Sequence, residues 1–243
     1  MFTAVDAAKS DASRARATRA ARAALCRRLV VAAVLLVAAA SLFAFLAEDV
    51  TSGARLTVVD AEIASWLHRH ATPPLVTAML LWTQLHSTVA VGAYAAIATL
   101  VLAVERSWRR ATLVVVAVGG GLALNALMKL AFHRARPSFD DPLLTLATYS
   151  FPSGHVAGST IFYGLAVVAV FARTTSPLWR VLALVAALLA VALVAFSRML
   201  LGAHYLSDVL AALVEGIAWL AISVGALAAF WRDAPRAPAA EPV

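Results

Sequence analysis

The chain has 243 residues, 63% of them hydrophobic and 14% charged, with a mean hydropathy of +0.86. Soluble domains are typically about 45–50% apolar and about 25% charged, so the composition excludes a water-soluble globular enzyme and predicts one integral membrane domain. The net charge of +7 sits at the ends of apolar runs rather than in aromatic-interleaved patches, which argues against a nucleic-acid partner. The lone cysteine, Cys26, excludes an internal disulfide and a cysteine-based metal cluster.

Residues 1–28 carry Arg14, Arg16, Arg19, Arg22, Arg27 and Arg28. They read as a basic cytoplasmic tail, unstructured or lying on anionic lipid. Residues 29–230 hold six predicted membrane spans, and 231–243 form a second polar tail. Leu29 to Ala47 is the first span, close to the roughly 20 residues that cross hydrocarbon. It exceeds the ~7–15-residue apolar core of a cleavable signal, so it is expected to be retained. An amphipathic piece around Val59 to His68 lies at the interface, and Pro73-Pro74 ends it. Leu75 to Val104 is apolar but interrupted by Thr83, Gln84, His86 and Ser87, which predicts a short interfacial helix leading into the second span. The third span is Ala111 to Phe132, the fourth His155 to Phe171, the fifth Val181 to Phe196 and the sixth Leu206 to Phe230. Gly119-Gly120-Gly121 in the third span predicts close helix packing.

Six spans put both termini on one side. That side holds Lys9, the tail arginines, Arg106, Arg109, Arg110, Arg173, Arg180, Arg232 and Arg236, against Arg55, Arg69, Lys129, Arg134, Arg136 and Arg198 on the other. The bias predicts cytoplasmic termini in the plasma (inner) membrane. Three polar stretches then share the outer face: Lys129 with Arg136-Pro137, Pro152-Ser153-Gly154-His155, and Ser197-Arg198 with His204 and Asp208.

Ionisable groups at membrane depth are costly, so this collection calls for a chemical reason. Lys129, Arg136 and Arg198 with Ser153 and Gly154 at a helix start make an anion site suited to a phosphoryl group. If the chain is helical from Leu206 onward, His204 and Asp208 lie one above the other on the same face, where the carboxylate could accept the proton of one imidazole nitrogen and leave the other bare as a nucleophile. His155 would protonate the leaving oxygen and later activate water. No dense carboxylate or histidine cluster has metal-ligand spacing, so the reaction is expected to need no metal or other cofactor. Gln84 and His86 are possible cleft residues, while His133, Arg134 and Asp140 read as solvated loop residues. Glu215, inside the sixth span, reads either as a functional acid or as one half of a buried pair.

The spacings Lys129-(six residues)-Arg136-Pro137, Pro152-Ser153-Gly154-His155 and Ser197-Arg198-(five residues)-His204-(three residues)-Asp208 resemble the three-part signature of the type 2 phosphatidic acid phosphatase (PAP2) superfamily. The resemblance implies an all-α, six-helix membrane bundle with a metal-independent lipid phosphatase activity. It implies His204 as nucleophile, Asp208 as its partner and His155 as acid, with Lys129, Arg136, Ser153, Gly154 and Arg198 around the phosphate. The expected substrate is polyprenyl (undecaprenyl) diphosphate, with phosphatidic acid and phosphatidylglycerol phosphate next. A lipid phosphotransferase using the same phosphohistidine and a non-catalytic lipid transporter are the alternatives. The oligomeric state is left open.

Overall fold

The computed structural model describes residues 30–233. The expected tails, residues 1–28 and the end of 231–243, therefore fall largely outside the described residues. Those described are helical, without a strand, in the order α1 (Val30–Ser52), α2 (Arg55–Arg69), α3 (Pro73–Leu85), α4 (Thr88–Val104), α5 (Trp108–Val114), α6 (Gly120–Phe132), α7 (Gly154–Arg173), α8 (Pro177–Leu200) and α9 (Leu206–Asp233). Among the described residues six helical segments are long and apolar enough to cross a membrane: α1, α3 with α4, α5 through α6, α7, α8 and most of α9.

The chain divides between Ser41 and Leu42. The described part of the first unit is the start of α1, where Val30, Val31, Val34, Leu35 and Val37 are exposed, a surface made for hydrocarbon.

In the second unit α7 is the central helix, packed on α4, α6, α8 and α9. Lipid is as apolar as the protein interior, so close packing of small side chains rather than water exclusion holds such a bundle together. The contacts fit: Val156 and Ala157 of α7 meet Val191, Val194 and Ala195 of α8 and Val209 and Ala212 of α9.

The third span is one rod with a π-helical turn, Val115–Gly119, between α5 and α6. Trp219 of α9 fills the irregularity, its Nε1 donating to the carbonyls of Ala117 at 2.9 Å and Val116 at 3.3 Å. A Cβ on Gly121 would stand 3.0 Å from Trp219 Cδ1, so Gly120 and Gly121 do permit the expected close approach, whereas Gly119 faces open space.

Prolines and short caps set the helix ends. Pro73-Pro74 opens α3 as well as closing the segment before it, because proline suits the first helical turn. α3 breaks at His86 and Ser87, where the Ser87 hydroxyl accepts from the Ala90 N–H at 3.1 Å and starts α4. Two helices thus meet where the polar interruption predicted a break. α8 runs longer than the expected 181–196 and ends before Gly202, whose φ of +67° is the left-handed turn that glycine accepts without strain.

Candidate functional site

The polar stretches meet at one end of the bundle because each lies at a helix end. Lys129 is in the last turn of α6, Ser153 caps α7 with Gly154 and His155 in its first turn, Arg198 is in the last turn of α8, and Asp208 is in the first turn of α9. The loop between α6 and α7 carries Arg136. Direct bonds join these pieces: the Ser153 N–H donates to the Asp208 carbonyl at 3.1 Å, and Arg136 Nη1 donates to the Ala203 carbonyl at 2.5 Å. A Cβ on Gly154 would lie 3.0 Å from Asn125 Oδ1 and 3.8 Å from Lys129 Cε, so a side chain there would crowd the space beside the cations.

His204 sits in the turn before α9 and is 2% exposed. Its Nδ1 faces Asp208 Oδ2 at 3.4 Å, within ion-pair reach though longer than a formed hydrogen bond. Its Nε2 lies 3.3 Å from Arg136 Nη1. A guanidinium can only donate, so Nε2 is the bare nitrogen and the proton belongs on Nδ1, toward the carboxylate. Burial outweighs the Asp208 interaction and pushes the imidazole down to about 3, so His204 is neutral. Asp208 is not simply stacked beneath His204 on one helix, since His204 precedes α9. Asp208 Oδ2 reaches back to the Tyr205 N–H at 2.9 Å, the return half of a capping box, and this fixes the turn that carries His204.

Two of the cations, Lys129 and Arg136, are held by the loop. Lys129 Nζ donates to the carbonyls of Tyr149 at 2.8 Å and Ser150 at 3.3 Å. Arg136 donates to Thr148 O, Thr148 Oγ1 and Tyr149 O at 2.7, 2.8 and 3.0 Å, and burial lowers its pKa from the ordinary value. Arg198 is 2% exposed and donates through Nη1 to Thr83 Oγ1 at 3.0 Å. Buried Arg198 Nε and Ser153 Oγ have no hydrogen-bond partner among the described residues. Among those residues no group of three or more His, Cys, Asp and Glu is arranged to hold a metal ion.

Of the polar residues before α4, Thr83 is the one that reaches a cation. Gln84 is exposed, and His86 is buried in an internal chain from Trp82 O at 2.8 Å to the Tyr163 hydroxyl at 2.7 Å. Glu215 accepts from Asn125 Nδ2 at 2.9 Å, so it is half of a buried pair. His133 and Asp140 are exposed as expected.

Arg134 is not a solvated loop residue. It is largely buried, donating to Asp208 Oδ1 at 2.6 Å, Ser207 Oγ at 2.7 Å and Asp60 Oδ2 at 2.8 Å, with its guanidinium 4.4 Å from the Tyr205 ring centroid. Burial alone would lower its pKa, but Asp208 and Asp60 outweigh it and hold it above the ordinary value. The signal was in the spacing: Arg134 stands two residues before Arg136 in extended chain leading to a proline, which puts both on one side. Asp60 was missed as well. It shares the buried stripe of α2 with Ala64 and Leu67, and an acid on an amphipathic helix's apolar stripe needs a partner.

A buried neutral imidazole faced by an arginine and backed by a carboxylate thus stands at one end of a membrane helix bundle. Residues 110–232 match the PAP2 superfamily, and the chain belongs to it. It is a polytopic, all-α lipid phosphatase of PAP2 type. It is similar to a transmembrane PAP2-type phosphatidylglycerolphosphate phosphatase from Bacillus subtilis, with 25% identity and a TM-score of 0.60 over 82% of this chain and 98% of that one. Aquifex aeolicus LpxE shares the fold, at 21% identity and a TM-score of 0.54 over 69% of this chain and 95% of that one. Among curated protein sequences none matches.

Proposed function

We propose that the protein hydrolyses a lipid phosphate through a phosphohistidine on His204, without a metal ion. The observation that carries the reading is the placement of His204 between Asp208 on its Nδ1 side and Arg136 on its Nε2 side. The Nε2 lone pair attacks phosphorus as the bond to the lipid oxygen breaks, and His155 gives that oxygen its proton. Asp208 steadies the positive charge that develops on the His204 ring. Water then attacks phosphorus, its proton passing to His155, and the P–N bond breaks to release inorganic phosphate. Lys129, Arg136, Arg198, Ser153 and the N–H groups at the start of α7 receive the equatorial oxygens, with Gly154 leaving them room.

The site opens to the extracytoplasmic side, with both termini cytoplasmic; the basic residues at the opposite helix ends support this orientation. The substrate's tail stays in the bilayer. Likeness to the Bacillus subtilis enzyme favours phosphatidylglycerol phosphate as the first substrate to try, ahead of polyprenyl diphosphate and phosphatidic acid.

The test is phosphate release in detergent micelles containing a chelator, with those three lipids, comparing the intact protein with His204→Ala. Release that survives the chelator and vanishes in the variant is expected. Release that needs added metal, or that persists in His204→Ala, would overturn the mechanism.

A further inference from the structure

Behind the Asp208 carboxylate lies a second layer of charge supplied by segments far apart in the chain. Asp60 of α2 is 2% exposed. Its Oδ1 accepts from the Ser207 N–H at 2.9 Å, and its Oδ2 accepts from both the Ser207 hydroxyl and Arg134 Nη2, the latter at 2.8 Å. The Ser207 hydroxyl donates to Asp60 and accepts from Arg134 Nη1, which also binds Asp208 Oδ1.

These bonds constrain Asp208 from every direction but one. Oδ1 is occupied by Arg134, Oδ2 by the Tyr205 N–H, and the remaining lone pair of Oδ2 faces His204 Nδ1. The first turn of α9 is fixed at the same time, because Asp60 from a separate helix takes the Ser207 N–H that would otherwise be an orphan at the helix start. Charge is balanced too. Were Arg134 paired with Asp208 alone, it would draw off negative charge needed to steady a cationic His204; a second carboxylate on the same guanidinium divides its pull.

We infer that Asp60 and Arg134 are positioning residues for the reaction: they form a carboxylate–guanidinium bridge that aims Asp208, and through it His204, at the phosphorus. The inference rests on His204 being the nucleophile. Removing a group one step behind a reacting side chain commonly lowers activity about 10–100-fold. None of the bridge's hydrogen bonds goes to Lys129, Arg136 or Arg198, so the loss falls on kcat while KM stays within about threefold.

The experiment measures kcat and KM for Asp60→Asn, Arg134→Lys, Asp208→Asn and the double variant Asp60→Asn/Asp208→Asn. It uses whichever of the three lipids the intact protein hydrolyses fastest, with kcat normalised to the monodisperse folded fraction. A fall of about tenfold or more in kcat for Asp60→Asn, with little further fall when Asp208 is already Asn, is expected because both act through one carboxylate. Arg134→Lys keeps the charge but not the fork that spans two carboxylates, and its kcat is expected to fall similarly. Normal kcat in both Asp60→Asn and Arg134→Lys, a change in KM alone, or equal losses with and without Asp208 would overturn the inference while leaving the phosphatase reading intact. If Asp60→Asn does not fold, Arg134→Lys decides by the same criteria. Failure of the reading itself would show separately, as activity retained in His204→Ala or absent from the intact protein.

Discussion

Arg136 Nη1 stands 3.3 Å from His204 Nε2, so the group that would bind phosphate also marks which imidazole nitrogen is bare. The same guanidinium is tied to Thr148, Tyr149 and Ala203. Lysine would keep the charge and lose this fork. Arg136→Lys is expected to lower kcat/KM by about 100-fold or more, as for loss of one preorganised donor to a transition state. Steady-state phosphate release checks it, and a loss below about threefold would count against this role, being under 1 kcal/mol.

The depressed pKa of His204 has a defined sign. The unfolded chain titrates this histidine near its ordinary 6.5 and the folded protein near 3, so between those values the unfolded state holds the extra proton. The contribution to stability is complete above about 6.5 and is lost as pH falls toward 3. The melting temperature in detergent is expected to drop from pH 7 to pH 4.5, less steeply in His204→Gln. Equal slopes would show that the imidazole is not buried neutral.

Asn125 and Glu215 hold each other in the bundle interior. Glu215→Leu leaves the amide unpaired and is expected to destabilise the protein by about 1–3 kcal/mol, whereas the double change Asn125→Leu/Glu215→Leu recovers most of this. Glu215→Gln, which can still accept from Asn125, is expected to melt close to the parent. Thermal unfolding of the three variants reads this out, and a double variant no better than Glu215→Leu would argue for a role beyond pairing.

Thr83 is the hydroxyl that Arg198 Nη1 donates to. Thr83→Val keeps the shape and removes the acceptor. Hydrogen bonds to charged groups contribute about 1.5–3 kcal/mol, so kcat/KM should fall roughly 10–100-fold if the bond orients Arg198 for phosphate. Unchanged kinetics would assign the contact to helix packing alone.

Much of the architecture was readable because the bilayer imposes a simple rule on spans: length, apolarity and backbone bonds satisfied within the helix. Lys129, Arg136, His155, Arg198, His204 and Asp208 could be read as one group because each stands in a polar interruption on the same side. Asp60 and Arg134 were harder. Their significance lies in contacts between α2, the loop after α6 and α9, and no local spacing announces such a meeting. His86 shows the converse, since a polar residue at the right depth can be taken up by an internal chain to Trp82 and Tyr163. The capping of α9 by Asp208 was hidden for another reason: four-residue spacing suggested a shared helical face, while the turn at Gly202 places His204 outside the helix.

Lys129 and Arg136 are already bonded to the carbonyls of Thr148, Tyr149 and Ser150. On the proposed function, anion capture is therefore an exchange, in which incoming oxygens replace the site's own acceptors and the net gain is a difference. When the phosphoryl group has been cut from its lipid and loses its hold on the bilayer, those carbonyls compete for the same donors and favour its departure. The proposed site thus carries its own displacing ligand, and turnover is expected to resist accumulated inorganic phosphate, with inhibition constants above the KM for the lipid.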